Sequence, residues 1–123
     1  RSIELACRAK HMEELKRDLR RFAKERDWGQ FHSPKNLAAA LTVEASELLE
    51  VFQWLTEAQS HELSPKQMAS VREEIGDVFL YLLQISDKLD IDLIAAARDK
   101  LATNELKYPV DRAKGRSEKY TDL

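Results

Sequence analysis

Two pairs of carboxylates in the sequence are spaced by about one helical turn. Glu44 and Glu47 form the first pair, and Glu74 and Asp77 form the second. Residues three apart lie on neighbouring ridges of a helix, so the two carboxylates of each pair can converge on one point. Glu73, four residues before Asp77, can face the same way. Oxygen ligands in this arrangement suit a hard divalent cation, Mg²⁺ or Mn²⁺.

The first pair interrupts an apolar helix face. Six positions spaced 4, 3, 4, 3 and 4 residues apart hold five apolar side chains and one Glu: Leu37, Leu41, Glu44, Leu48, Val51 and Leu55. An unpaired carboxylate there costs on the order of several kcal/mol or takes up a proton. Cations are scarce, because Lys66 alone lies between positions 37 and 67, and Arg72 alone between 71 and 87. A metal therefore explains the acids better than a basic partner.

The second pair accompanies a second apolar face. Glu74 and Asp77 are predicted on the ridge beside this face, and "VFLYLLQI" is apolar almost all round. Such a run indicates burial on several sides or a subunit interface. The apolar positions are Met68, Val71, Ile75, Val78, Leu82, Ile85 and Leu89.

The sequence lacks His and Cys residues at the spacings that many metal sites use, and this limits which metal the acids could bind. A single Glu-x-x-Glu pair is most often a solvated helix surface, but two pairs on successive helices favour a site. A di-iron centre needs Glu-x-x-His pairs, and none of the three His residues lies three after a Glu. Zinc is disfavoured for the same reason. Phosphate chemistry remains, in which Mg²⁺ bridges the substrate and activates a water.

Cationic and aromatic residues give weaker signals. Lys100 and Asn104 are four residues apart, which suits either phosphate binding or the cation-favouring end of a helix. Trp28, Phe31, Trp54 and Tyr81 are candidates for stacking on a base. Taken alone, aromatics at helical spacing are more often core residues.

The positioning elements are predicted to be helices, because three Gly and three Pro leave little room for the turns of a β fold. Ser33-Pro34 and Ser64-Pro65 are helix starts, the second with Gln67 placed to complete a capping box. A polar, flexible tail follows from about Pro109. The four predicted helices cover residues 12–27, 34–57, 65–89 and 90 or 92–107.

Length, net charge and cysteine count limit the kind of protein that this sequence can encode. The 123 residues suit one domain, and a net charge of -2 gives no reason to expect nucleic acid or a membrane as partner. A single Cys fits a reducing compartment, so a cytoplasmic location is expected. The opening "RSIELACRAKHM" looks like a vector-derived leader over residues 1–11, with the native domain at 12–123.

Together these residues resemble the MazG-like, all-α nucleoside triphosphate pyrophosphohydrolases, and more closely their dCTP pyrophosphatase branch. The resemblance covers about residues 15–123. It rests on the order and spacing of "ERDWGQFHSPKNL", "ELLEVFQW", "EEIGDVFLYL" and "TNELKYPVDRAKGRSEKYTDL". It implies a four-helix bundle-like domain that assembles through its apolar helices into a dimer or dimer of dimers.

The resemblance also implies roles for individual residues. Glu44, Glu47, Glu74 and Asp77 would be catalytic and hold Mg²⁺, with Mn²⁺ as a substitute. Substrate contacts would come from an aromatic base pocket and from polar residues near the phosphates. The base pocket would be formed by Trp28, Trp54 and Tyr81, which reverses their interpretation as core residues. The phosphate contacts would be made by Lys100, Asn104, Lys119 and Tyr120.

The implied reaction is hydrolysis of a nucleoside triphosphate between its α and β phosphates, releasing the monophosphate and pyrophosphate. The expected substrate is dCTP or a modified cytosine nucleotide, in cleaning of the nucleotide pool. Two alternatives stay open: the same site acting on dUTP or a broader set, and a non-enzymatic helical interaction module. Metal dependence separates the module from the enzymes.

Overall fold

The computed structural model describes residues 2–123, and in that range it contains helices and no strands. The predicted all-α class is therefore confirmed. Four helices are long and two are a single turn. They are α1 (Ser2–Glu25), α2 (Pro34–Phe52), α3 (Glu57–Ser60), α4 (Pro65–Lys88), α5 (Leu93–Lys107) and α6 (Val110–Ala113), with 3₁₀ turns at Gly29–Phe31 and Tyr120–Asp122.

The described chain separates into two compact units. The first ends at Asp90 and contains α1 to α4, and the second is Ile91–Leu123 with α5 and α6. In the first unit α4 packs against both α2 and α1. Leu37 of α2 and Leu83 of α4 are almost fully buried there. Burying each Leu side chain contributes roughly 1.5–3 kcal/mol, so the α2–α4 contact is the core of this unit.

Side-chain caps fix where the long helices begin. Ser33 accepts from the backbone N–H of Asn36, and Asp92 accepts from that of Ala95. At α4 the capping box is complete: Ser64 Oγ accepts from the Gln67 N–H at 3.1 Å, and the Gln67 side chain accepts from the Ser64 N–H at 2.9 Å. The predicted starts after Ser33 and Ser64 are confirmed, and of the two alternatives for the last long helix, Asp90 and Asp92, the structure has Asp92 as the cap.

Two other helix boundaries were predicted wrongly. α1 begins at Ser2 rather than at Met12, supported by exposed ion pairs one turn apart, such as Arg8–Glu4 at 3.1 Å. α2 ends at Phe52 rather than at position 57, because Thr56 starts a new turn with a capping box of its own.

The second unit has local contacts of its own. The tail from Pro109, predicted to be flexible, forms α6 and the final 3₁₀ turn. Tyr120 packs edge-to-face on Tyr108 with ring centroids 6.0 Å apart, and Lys107 Nζ lies 4.8 Å from the centre of the Tyr120 ring. Among the described residues, no helix has the length and apolar character needed to cross a bilayer.

The α4 cap gives a direct test of the helix start. Replacing Ser64→Ala removes the acceptor for the Gln67 N–H, so we expect the free energy of unfolding to fall by about 1 kcal/mol. Urea denaturation followed by circular dichroism measures the change. Ser117→Ala, in the exposed tail, is the matched control. Equal stabilities of the two variants would contradict the assigned role of Ser64.

Candidate metal centre

The packing of α2 against α4 brings acids from both helices together. One carboxylate oxygen from each of Glu44, Glu74 and Asp77 lies within 4.8 Å of the other two. The two predicted pairs therefore converge across the helix contact. Asp77 is exposed, whereas Glu44 and Glu74 are half-buried, so the cluster opens to solvent on the Asp77 side.

The two half-buried acids each have one oxygen without a partner. In the described part of the chain, Glu44 Oε2 and Glu74 Oε2 are shielded from solvent and accept no hydrogen bond. No Lys, Arg or His within residues 2–123 forms an ion pair with either acid. Buried polar atoms are nearly always satisfied, so these two oxygens are suited to binding a cation.

The pKa values of Glu44 and Glu74 are shifted by the burial and crowding of these unpaired carboxylates. The pKa of Glu44 is raised to about 7, first by burial, then by hydrogen bonding with Glu47 and by repulsion from Glu47, Asp77 and Glu74. The pKa of Glu74 is also raised, by burial and then by Glu47.

The donor set fits a hard divalent cation. Three carboxylates from two facing helices supply oxygen ligands, and two of their oxygens have no other partner. Mg²⁺ and Mn²⁺ prefer this chemistry, and a cation would remove the repulsion that raises the pKa of Glu44 and Glu74. Glu47 lies next to the three-oxygen cluster without belonging to it, so its role as a ligand stays a prediction.

One detail of the predicted α4 face is wrong. Ile75 was placed within the apolar face and Glu74 beside it, but Ile75 is 53% exposed and Glu74 lies in the packed contact. Met68 is likewise 55% exposed. Packing against α2 sets the rotation of α4, and this rotation turns Glu74 inward.

The three predicted base-pocket aromatics all belong to the first unit. Trp28 is 42% exposed and packs edge-to-face on Phe22 and His32, with centroid distances of 5.6 and 6.2 Å. Trp54, just beyond the end of α2, is 86% exposed, and Tyr81 of α4 is half-buried. The two Trp residues are thus not core residues and remain accessible to a ligand.

The predicted phosphate contacts belong to the second unit. Lys100 is exposed and Asn104 half-buried on α5, one turn apart. Lys119 caps the final 3₁₀ turn, and Tyr120 is held by its contacts with Tyr108 and Lys107.

A cleft in the first unit was missed at the level of sequence. It has a volume of about 510 Å³ and lies where α1, the Gly29–Phe31 turn and the end of α4 meet. Its walls include His32, Gln84 and the ion pair of Arg20 with Asp87. One signal was available, since Gln84 is the only polar residue in "VFLYLLQI".

Comparison with known proteins decides the family. A profile of the MazG-like family matches residues 39–123. The dCTP pyrophosphatase 1 of Mus musculus is 43% identical over 114 residues, which cover 91% of this chain and 67% of its own length. The Homo sapiens protein of the same name is 40% identical over the same extent. The chain belongs to the MazG-like family.

A solved structure supports the assignment of this MazG-like chain. A pyrophosphatase from Archaeoglobus fulgidus superimposes with a TM-score of 0.77 at 44% identity, covering 80% of this chain and 93% of its own. The family match also runs through both compact units, so the predicted single domain is confirmed.

The unpaired acids make the stability of the metal-free MazG-like chain depend on pH. Because the folded-state pKa of Glu44 is raised from 4.5 to about 7, its stabilising effect is complete below pH 4.5 and is lost as pH rises through 7. We therefore expect Glu44→Gln to be more stable than wild type at pH 8 in EDTA. The difference in unfolding free energy between Glu44→Gln and wild type should be smaller at pH 5, where Glu44 is protonated.

Chemical denaturation at the two pH values measures this difference. Glu50→Gln, at an exposed position of the same helix, is the matched control and should show neither effect. Added Mg²⁺ should stabilise wild type and the control but not Glu44→Gln. A destabilised Glu44→Gln at pH 8 would mean that the carboxylate has a structural partner.

Proposed function

We propose that the chain hydrolyses dCTP or a modified cytosine nucleotide to the monophosphate and pyrophosphate, with Mg²⁺ held by the α2–α4 acids. The broader statement, that the chain is a nucleotide pyrophosphohydrolase, follows from its family and its similarity to dCTP pyrophosphatases and to a pyrophosphatase structure. The observation that carries the metal-dependent mechanism is the pair of buried, unpartnered oxygens on Glu44 and Glu74.

The metal ligands are assigned from the cluster geometry. Glu44, Glu74 and Asp77 provide the converging oxygens, and Glu47 adds a fourth carboxylate beside them. A divalent cation bound there neutralises phosphate charge and polarises the phosphoryl oxygens. The exposed Asp77 side leaves an approach for the triphosphate.

Glu47 is the best-placed acid to handle the attacking water. It is half-buried and close enough to Glu44 and Glu74 to raise the pKa of both. Water attacks a phosphorus of the α–β anhydride, the bridging P–O bond breaks, and Glu47 accepts the proton of the water. The group on the other side of the broken bond leaves with its electron pair: pyrophosphate when the α phosphorus is attacked, and the monophosphate when the β phosphorus is attacked.

The remaining substrate contacts are proposed from the motif order. Trp28, Trp54 and Tyr81 contact the base and sugar, and two of the three are accessible rings. Positively charged and amide side chains can donate hydrogen bonds to phosphate oxygens. We therefore expect Lys100→Ala to raise the KM for dCTP, which steady-state kinetics measures. These phosphate-binding residues are Lys100, Asn104, Lys119 and Tyr120.

The first experiment is pyrophosphate release from a panel of dNTPs and NTPs, with Mg²⁺ and again in EDTA. We expect release from dCTP above the other nucleotides and none in EDTA. Glu74→Gln should reduce kcat by at least about 100-fold, because it removes a ligand of the reaction centre. Glu62→Gln, at an exposed position outside the cluster, is the control.

Other outcomes of this experiment are informative. Metal-dependent release of pyrophosphate from a nucleotide with a different base would support the metal centre and overturn the proposed preference for cytosine. Undiminished release in EDTA overturns the metal assignment. No release from any nucleotide overturns the proposed reaction and favours the interaction module, in which the acids contact a basic partner.

We propose in addition that the chain self-associates into a dimer or dimer of dimers. Apolar side chains on both core helices are more than half exposed: Val43, Leu49, Met68 and Ile75. Large apolar side chains exposed on packed helices are typical of subunit interfaces. Sedimentation velocity should therefore show a dimer or tetramer, and Ile75→Glu should shift it towards monomer. A monomeric wild type at micromolar concentration would contradict self-association.

A further inference from the structure

We propose that Gln84, oriented by His32, is a specificity-determining residue that selects bases carrying an exocyclic amino group over keto bases. The Gln84 carbonyl oxygen accepts a hydrogen bond from the amino group of the base. This inference deepens the proposed function and rests on it, since it concerns the base end of the same nucleotide.

The position of Gln84 on α4 aligns it with the acids. Asp77, Tyr81 and Gln84 follow one another at spacings of four and three residues. Seven residues make nearly two whole turns, so Gln84 lies only about 20° around the helix from Asp77 and about 10 Å further along. A nucleoside whose phosphates are held at the acids extends over such a distance, passing the Tyr81 ring.

The cleft at the end of this path suits a base. Its volume of about 510 Å³ lies within the usual range for ligand pockets. Leu19, Ala23 and Leu83 contribute apolar walls, which favour the faces of an aromatic ring. The other side chains that line the cleft are charged or polar, and at the Gln84 end the amide of Gln84 and the ring of His32 are the uncharged polar groups that can fix the orientation of a base.

The tautomer of His32 determines which atom Gln84 presents. Gln84 Nε2 lies 3.4 Å from His32 Nδ1. We take His32 to be the tautomer that carries its proton on Nε2, in which the Nδ1 lone pair accepts from the Gln84 amide NH₂. The amide oxygen is then left as the free group, and within residues 2–123 it accepts no side-chain hydrogen bond. His32 is in turn packed against Trp28.

A free acceptor distinguishes the two kinds of base. The amino group of cytosine or adenine donates to it, whereas the corresponding carbonyl of uracil or thymine leaves two acceptors facing each other. Sites that hydrogen-bond a substrate group reject the analogue lacking it, because a polar atom is left unpaired. We expect about 10- to 100-fold discrimination from one such hydrogen bond.

The Arg20–Asp87 pair removes one positive charge from a cleft whose walls also carry Lys16, Lys24 and Lys88. The guanidinium donates twice to the carboxylate, from Nε to Oδ2 at 2.7 Å and from Nη2 to Oδ1. The positive charge of Arg20 is thus already neutralised. The pair also links α1 to α4 and so closes the wall beside Gln84.

The test is the ratio of kcat/KM for dCTP to kcat/KM for dUTP. Gln84→Leu should lower this ratio by about 10- to 100-fold, mainly through KM for dCTP. Gln84→Glu keeps an acceptor and should keep a preference for dCTP. Gln53→Leu, an exposed position outside the cleft, should keep the wild-type ratio. Since both substrates are measured on one preparation, partial misfolding cancels from the ratio.

His32→Leu tests the orienting role separately. Without the ring acceptor the Gln84 amide is free to rotate and to donate to a keto base. We therefore expect kcat/KM for dUTP to rise relative to kcat/KM for dCTP. An unchanged ratio in both Gln84→Leu and His32→Leu overturns the inference.

Failure of the proposed reaction is distinguishable from failure of this inference. If wild type releases pyrophosphate but the ratios do not respond to Gln84, the reaction stands and the base-reading role is wrong. If wild type releases none, calorimetric titration with dCMP and dUMP replaces the assay. Tighter binding of dCMP that is lost in Gln84→Leu supports the role, and equal or absent binding overturns it.

Discussion

The contact between α2 and α4 places like charges in the one well-packed part of the first unit, and the candidate site depends on this conflict. Leu37 and Leu83 hold the helices together, while Glu44 and Glu74 oppose each other within the same contact. Apolar burial keeps the acids close although their repulsion favours separation. A cation that binds between them gains from both effects, because its ligands are already assembled.

The helix caps fix where each core helix begins. Ser33 fixes the start of α2 and Ser64 the start of α4, and each acid lies about three turns into its helix. The packing of α2 against α4 then brings Glu44 and Glu74 together. Lys and Arg are scarce in both helices, so few cations of the chain itself are near enough to neutralise these acids.

The features predicted correctly from sequence are local ones. Helix starts were predictable because a Ser or Asp cap and its partner lie within three residues. The end of α2 was missed although Thr56 and Gln59 carry the same type of signal. The inward rotation of Glu74 was not predictable, because it lies next to Ile75 in a largely apolar helix and only the partner helix α2 decides which faces inward.

The cleft depends on contacts that no local pattern contains, since Arg20 and Asp87 are 67 residues apart. The chemistry of the cleft differs from that of the acid cluster between α2 and α4. Glu44 and Glu74 each have one oxygen without a partner, so they select a ligand by charge. Gln84 is held by His32 and, with the His32 tautomer protonated on Nε2, presents its carbonyl oxygen, so it selects a ligand by the direction of a hydrogen bond. Helix α4, with Glu74 near its middle and Gln84 near its end, can therefore contact the charged part and the neutral part of one nucleotide by different physical means.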